Sequence, residues 1–156
     1  MAKKWLTLII CFVIIIIVAF LGSLFTSKGT NSAWYQQIKP SITPPNFVFP
    51  IAWAILFILI ALSLFFAWTN AKNNKEKKMI GWFFGINFIL NILWSFLFFS
   101  QRLLSWAFIE IIIMWLSIVA MIIFSRKTSK LAAWLLIPYL IWVTFASVLT
   151  FMAAFA

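Results

Sequence analysis

Few side chains in this sequence can do chemistry, and their spacing suits recognition better than acid–base or metal work. Among 156 residues there is no His, one Cys (Cys11) and only two acids, Glu76 and Glu110. A zinc site, an iron–sulfur cluster or a His-ligated haem therefore lacks ligands, and Ser-His-Asp or Cys-His catalysis lacks its base. No glycine-rich phosphate loop is present, which argues against nucleotide-driven pumping. A lone Cys cannot form an intramolecular disulfide. Ten Trp remain, together with a few polar residues set inside long apolar runs.

Asn87, Asn91 and Ser95 recur every four residues and so share one helix face. Polar groups in an apolar span face a cavity and serve function, or they hydrogen-bond neighbouring helices. Gly81 and Gly85 lie in the same span as a small-x-x-x-small pair, about a third of a turn from the Asn face, and are a candidate dimer contact. Glu110 is the only acid inside a span. Its ionised form is expensive in lipid, so it calls for a proton, a hydrogen bond or a wet cavity, and it invites a proton-coupled role for which no second ionisable partner exists. In the last span, Tyr139, Trp142 and Ala146 share a face. Pro138 cannot donate to the Trp134 carbonyl, which predicts a kink or a local opening. Trp5, Trp34, Trp82, Trp106 and Trp134 fall near span ends, as interfacial tryptophans do. Trp53, Trp94, Trp115 and Trp142 sit deeper and are candidates for a pocket that takes a flat aromatic ligand.

The elements that must position these residues follow from composition. The chain is 66% hydrophobic and 9% charged, against roughly 25% charged in soluble domains. Apolar runs long enough to cross a bilayer recur over residues 5–26, 49–70, 79–100, 103–125 and 131–154. The fold class is therefore all-α, a five-transmembrane-helix bundle, with residues 1–156 forming one domain. The first run is longer than a signal-peptide core and no small-x-small cleavage site follows it, so it is read as a retained helix.

The net charge of +10 reflects topology rather than nucleic-acid binding, because the cations lie between spans. Lys3, Lys4, Lys72, Lys75, Lys77, Lys78, Arg126, Lys127 and Lys130 fall on one side, against Lys28, Lys39 and Arg102 on the other. Nine against three places the N-terminus in the cytoplasm and the C-terminus outside. The outer stretch from Ser27 to Val48 is long and stiffened by Pro40, Pro44 and Pro45, as expected of a lid or binding element, or else of an aromatic belt with a connector.

The run Trp34-Tyr35-Gln36-Gln37-Ile38-Lys39-Pro40-Ser41-Ile42-Thr43-Pro44-Pro45, followed by Trp53, resembles the first-loop signature of the TspO/translocator-protein family. These are the tryptophan-rich sensory proteins, or peripheral benzodiazepine receptors. Asn87-x-x-x-Asn91-x-x-Trp94-Ser95 and Pro138-Tyr139-x-x-Trp142-x-x-Phe145-Ala146 resemble the family's third- and fifth-helix motifs, and the size is of the bacterial type. The resemblance implies a five-helix membrane protein, commonly a homodimer, of the bacterial cell membrane. It also implies binding of porphyrins such as protoporphyrin IX and of isoquinoline carboxamides such as PK11195, and a role as sensor, receptor or transporter. Carried over by motif, the ligand-binding residues are Tyr35, Trp53, Asn87, Asn91, Trp142 and Ala146. Some bacterial members degrade protoporphyrin in light; if this chain does so, Trp53 and Trp142 are the photochemical pair. No cofactor is required, the porphyrin being ligand or substrate. Lipid is the other partner, with sterol binding a further alternative.

Three positions depart from the family pattern. Ile42 stands where a tryptophan is usual, Thr150 where many members have Asn, and the tail has neither Tyr nor a cation to form the proposed cholesterol pattern. A porphyrin would place its macrocycle in an aromatic pocket and its two carboxylates toward outer cations such as Lys28, Lys39 or Arg102.

Overall fold

In lipid each apolar run must satisfy its backbone polar groups internally, and a helix does so within the segment. The computed structural model describes residues 1–156 and contains helices and no strand. They are α1 (Ala2–Thr30), α2 (Ala33–Ile38), α3 (Val48–Thr69), α4 (Asn74–Ser95) with a π-helical turn at Phe96–Ser100, α5 (Leu104–Thr128), α6 (Lys130–Leu135) and α7 (Ile137–Phe155). Five spans are long and apolar enough to cross a membrane, α6 and α7 making up the fifth.

The helices outrun their apolar cores where a cap permits it. α4 begins at Asn74 rather than near 79, because Asn73 Oδ1 accepts from the Glu76 N–H at 2.9 Å. The Glu76 carboxylate in turn accepts from the Lys72 N–H at 2.7 Å. Hydropathy sees the lipid-facing part of a helix; capping chemistry decides where the helix starts.

The spans form a bundle in which α1 packs on α3 and α4, while α5 packs on α4 and α7. Cys11, Ile15 and Val18 of α1 meet Ile60 and Leu64 of α3 and Ile118 and Met121 of α5 in one core. The fifth span breaks at Leu136, with Pro138 in the first turn of α7. This is the opening that the missing proline N–H predicts. Its consequence is architectural. α6 lies against both α3 and α5, and Ser63 Oγ donates to the Ala132 carbonyl at 2.8 Å. α7 stays with α5 and barely meets α3. The bundle is thus closed at its basic end and splayed at its loop end.

The connection read from sequence as a loop from Ser27 is partly helical. α1 continues to Thr30, and α2 is capped by Ser32, whose Oγ accepts from the Tyr35 N–H at 3.2 Å. Only residues 31–32 and 39–47 are irregular. α2 docks on the π-helical turn, where the Gln101 N–H reaches back to the Phe96 carbonyl at 2.9 Å. The wider turn lets the consecutive rings of Phe98 and Phe99 both bury themselves, and Tyr35 packs on them at centroid distances of 6.3 and 5.6 Å. Gly29 permits this approach: a Cβ there would fall 2.7 Å from the Phe99 Cβ. Arg102, in the left-handed region at φ 55°, turns the chain into α5 and lays its guanidinium 4.9 Å from the Trp34 ring centroid.

An aromatic cavity at the loop end of the bundle

The splay between α3 and α7 leaves a cavity of about 530 Å³, within the roughly 300–1,000 Å³ usual for small-molecule sites. α3 contributes Phe49, Trp53 and Phe57, and α7 contributes Trp142, Val143, Ala146 and Thr150. α4 and its π-helical turn add Asn91, Trp94, Ser95, Phe98 and Phe99. Ile111 and Met114 of α5 form the back. The remaining side is different in kind: Ser23, Thr26, Ser27 and Thr30 of α1 run along it, with Asn31, Thr43 and Asn46 from the connection above. The cavity therefore pairs an aromatic wall with a hydroxyl and amide wall.

The aromatic wall is held by ring-on-ring contacts. Phe49 and Trp142 meet edge-on at 5.9 Å, bridging α3 and α7 across the splay. Trp53 packs on Phe57 at 5.3 Å and on Tyr139 at 6.2 Å, while Trp94 stacks on Phe98 at 5.0 Å. No charged side chain lines the space. Lys28 and Lys39 are exposed and each is the chain neighbour of a lining residue, Ser27 and Pro40, whereas Arg102 is engaged over Trp34.

Of the residues singled out by motif, Tyr35, Trp53, Asn91, Trp142 and Ala146 all line this one cavity. Asn87 does not. It lies one turn nearer the basic end, fully buried, in a relay that crosses three helices. Asn91 Nδ2 donates to Tyr139 Oη at 3.0 Å, and Tyr139 Oη donates to Asn87 Oδ1 at 2.9 Å. Asn87 Nδ2 then donates to Ser117 Oγ at 2.8 Å, and Ser117 Oγ donates to the Met114 carbonyl at 2.6 Å. The polar stripe of α4 thus divides: Asn87 holds helices together, Asn91 does so while facing the cavity, and Ser95 lines the cavity and accepts from Thr26 Oγ1 at 3.2 Å.

Tyr139→Phe removes the hydroxyl that serves both Asn side chains. Each orphaned buried group would cost about 1–3 kcal/mol in a soluble core, but measured interhelical bonds in membranes average only about 0.6 kcal/mol, with a maximum near 1.7. The expected loss is about 1–2 kcal/mol, read as a lower unfolding midpoint in detergent. An unchanged midpoint would remove the relay from the forces that hold α4 to α7.

Tyr35 lies outside the spans, and burial raises its phenol above the ordinary 10.0. The folded state therefore holds this proton more tightly than the unfolded chain. The stability this confers is full below pH 10 and is lost as pH rises through the raised value. Ultraviolet titration of the phenolate is expected to show a Tyr35 midpoint above 10; a midpoint at 10 would mean that α2 is undocked.

Sequence reasoning passed over the π-helical ring pair and the α1 hydroxyls. The hydroxyls at 23, 26, 27 and 30 carry a readable helical spacing, which was hidden at the end of an apolar run. The π-helical turn leaves no compositional trace in Phe-Leu-Phe-Phe-Ser. Trp115 is not a cavity residue: its Nε1–H donates to Thr144 Oγ1 at 2.8 Å, joining α5 to α7. Ile42 is exposed and does not line the cavity, whereas Thr150 does, with Oγ1 donating to the Ala146 carbonyl at 2.8 Å. Gly81 is exposed, with room for a Cβ in ordinary contact with the Trp68 ring at 3.8 Å, and a Cβ at Gly85 would meet nothing within 4 Å, so neither glycine is closely packed within the chain.

Comparison with known proteins adds a family. The model of the TspO/MBR family matches residues 10–155. The tryptophan-rich protein TspO of Chlorobaculum tepidum is 36% identical over 151 residues, covering 97% of this chain and 96% of that one. The tryptophan-rich sensory protein of Cereibacter sphaeroides is 32% identical, with 77% and 74% covered. The human translocator protein is 30% identical, with 85% and 79% covered.

Proposed function

The chain belongs to the TspO/MBR family and is an integral membrane protein, and from that premise we propose that it is a receptor, sensor or transporter for tetrapyrroles of the protoporphyrin IX type. The observation that carries this reading is the cavity itself. Trp53 and Trp142, from two different helices, border one space with Ala146, a residue small enough to leave that space open. A flat apolar macrocycle gains most from such walls. Its carboxylates would point out of a cavity lined by no cation, toward the exposed Lys28 and Lys39, chain neighbours of lining residues. Isoquinoline carboxamides, flat and carrying one polar amide, suit the same two-sided lining. The protein would sit in a bacterial cell membrane with its basic end cytoplasmic, as a homodimer through the Gly81–Gly85 face of α4.

A second reading has its own support. Both tryptophans named as a photochemical pair border the cavity, close enough to an occupant to donate an electron to a light-excited porphyrin. The two readings separate by titrating detergent-purified protein with protoporphyrin IX in the dark and then illuminating it. Saturable quenching of tryptophan fluorescence with a stable porphyrin spectrum is the result expected of a receptor. Loss of the porphyrin band faster than in a protein-free control would make it a photocatalyst, and absence of saturable quenching would reject both.

A further inference from the structure

Besides Thr43 Oγ1 in the connection, two buried polar side chains of the helices at or beside the cavity have no partner. They are the indole N–H of Trp94 and the carboxyl of Glu110, neither of whose oxygens is hydrogen-bonded. Glu110 is 5% exposed and does not line the cavity. Trp94 does line it, yet its N–H is buried, so the indole turns a ring surface to the space and its donor into the protein. Such groups are rare in folded proteins, and a pair of them calls for a physical account.

The register of α4 on α5 brings the two together. Asn87 bonds to Ser117 across this antiparallel interface at 2.8 Å, and Phe83 stacks on Phe124 at 4.2 Å. Seven residues are two helical turns and return to nearly the same face. Trp94 is seven residues after Asn87, and Glu110 is seven residues before Ser117. They therefore lie at one level on facing sides of the two helices. An indole N–H can only donate, and a carboxyl oxygen accepts whether or not the group carries its proton.

We propose that Glu110 is a positioning residue for the aromatic wall: an occupant seated against Trp94 turns the indole N–H onto the Glu110 carboxyl, and that bond fixes the ring against the ligand. The proposal rests on the tetrapyrrole reading above. It gives the one buried acid of the spans a role without any proton relay.

The test is a double-mutant cycle on the dissociation constant for protoporphyrin IX in the dark. Glu110→Leu and Trp94→Phe are each expected to weaken binding about tenfold, as loss of one buried hydrogen bond does. The double variant is expected to weaken it by the same tenfold, because both changes remove one bond. Glu110→Gln keeps an accepting oxygen and restores affinity to within about threefold of wild type. The unfolding midpoint of ligand-free Glu110→Leu stays level or rises, since no bond is broken there. Losses that multiply to about a hundredfold, an unaltered affinity in Glu110→Leu, a Gln variant that fails to rescue, or a lower ligand-free midpoint would each overturn the proposal. If wild type shows no saturable binding, the tetrapyrrole reading falls and takes this proposal with it. Normal wild-type binding with independent losses overturns this proposal alone.

Discussion

Ala146→Phe is expected to lower affinity for protoporphyrin IX about 100-fold, equivalent to about 2.7 kcal/mol, while the protein still folds. Ala146 borders the cavity one turn beyond Trp142 on α7, and its side chain is the smallest among the α7 lining residues. A phenyl ring there occupies space that the ligand needs, and the ring finds aromatic neighbours rather than a polar void. Filling an existing space costs a fold little, whereas overpacking a closed core costs about 1–3 kcal/mol. The unfolding midpoint should therefore move little. Ala146→Thr adds less bulk together with a hydroxyl, and should show a smaller loss in the same direction. Dark titration followed by fluorescence checks both. Unchanged affinity in the Phe variant would remove Ala146 from the wall of the site.

The double variant Trp53→Phe/Trp142→Phe is expected to weaken binding about tenfold, because each indole gives up part of a ring face worth about 0.5–1.5 kcal/mol in aromatic contact. If the protein is a receptor, no light-dependent product exists for this variant to lose. If it is a photocatalyst, the variant instead binds nearly as wild type does and the light-driven loss of porphyrin collapses. Phe49 and Phe57, which pack on Trp142 and Trp53, remain to support the substituted rings. A folding defect is therefore not expected to confuse the outcome.

Much of this site is legible in the sequence because lipid imposes strict rules on it. Five apolar runs of this length can only be helices, and polar residues within them must face inward, which marks Asn87, Asn91 and Ser95 from the sequence alone. The sequence could not say how that stripe divides. Whether an inward Asn meets a neighbouring helix or an open space depends on the distance between helices, and here Pro138 sets it. By separating α6 from α7 it lets one half of the fifth span close on α3 while the other half stands away. Asn87 falls within the closed zone and Asn91 at its boundary.

The π-helical turn was beyond reach for a related reason. Its five residues read as a continuing apolar helix, and the extra residue per turn shows only in the backbone, where it brings Phe98 and Phe99 inward together. Capping, by contrast, was visible but unused. Ser32 before Ala33 and Asn73 before Asn74 are ordinary N-cap residues; Ser32 caps a short helix, and Asn73 the first turn of a spanning one, in stretches that hydropathy assigns to connections.

We propose that one cavity, between α1, α3, α4 and α7, takes flat aromatic ligands of more than one chemistry. Displacement tests it most directly: protoporphyrin IX is titrated in the dark, by tryptophan-fluorescence quenching, at increasing fixed concentrations of PK11195. A shared cavity predicts that the apparent dissociation constant of the porphyrin rises in proportion to PK11195 while the quenching at saturation stays the same. A porphyrin curve that saturates without shifting as PK11195 binds, or no saturable quenching at all, would contradict it.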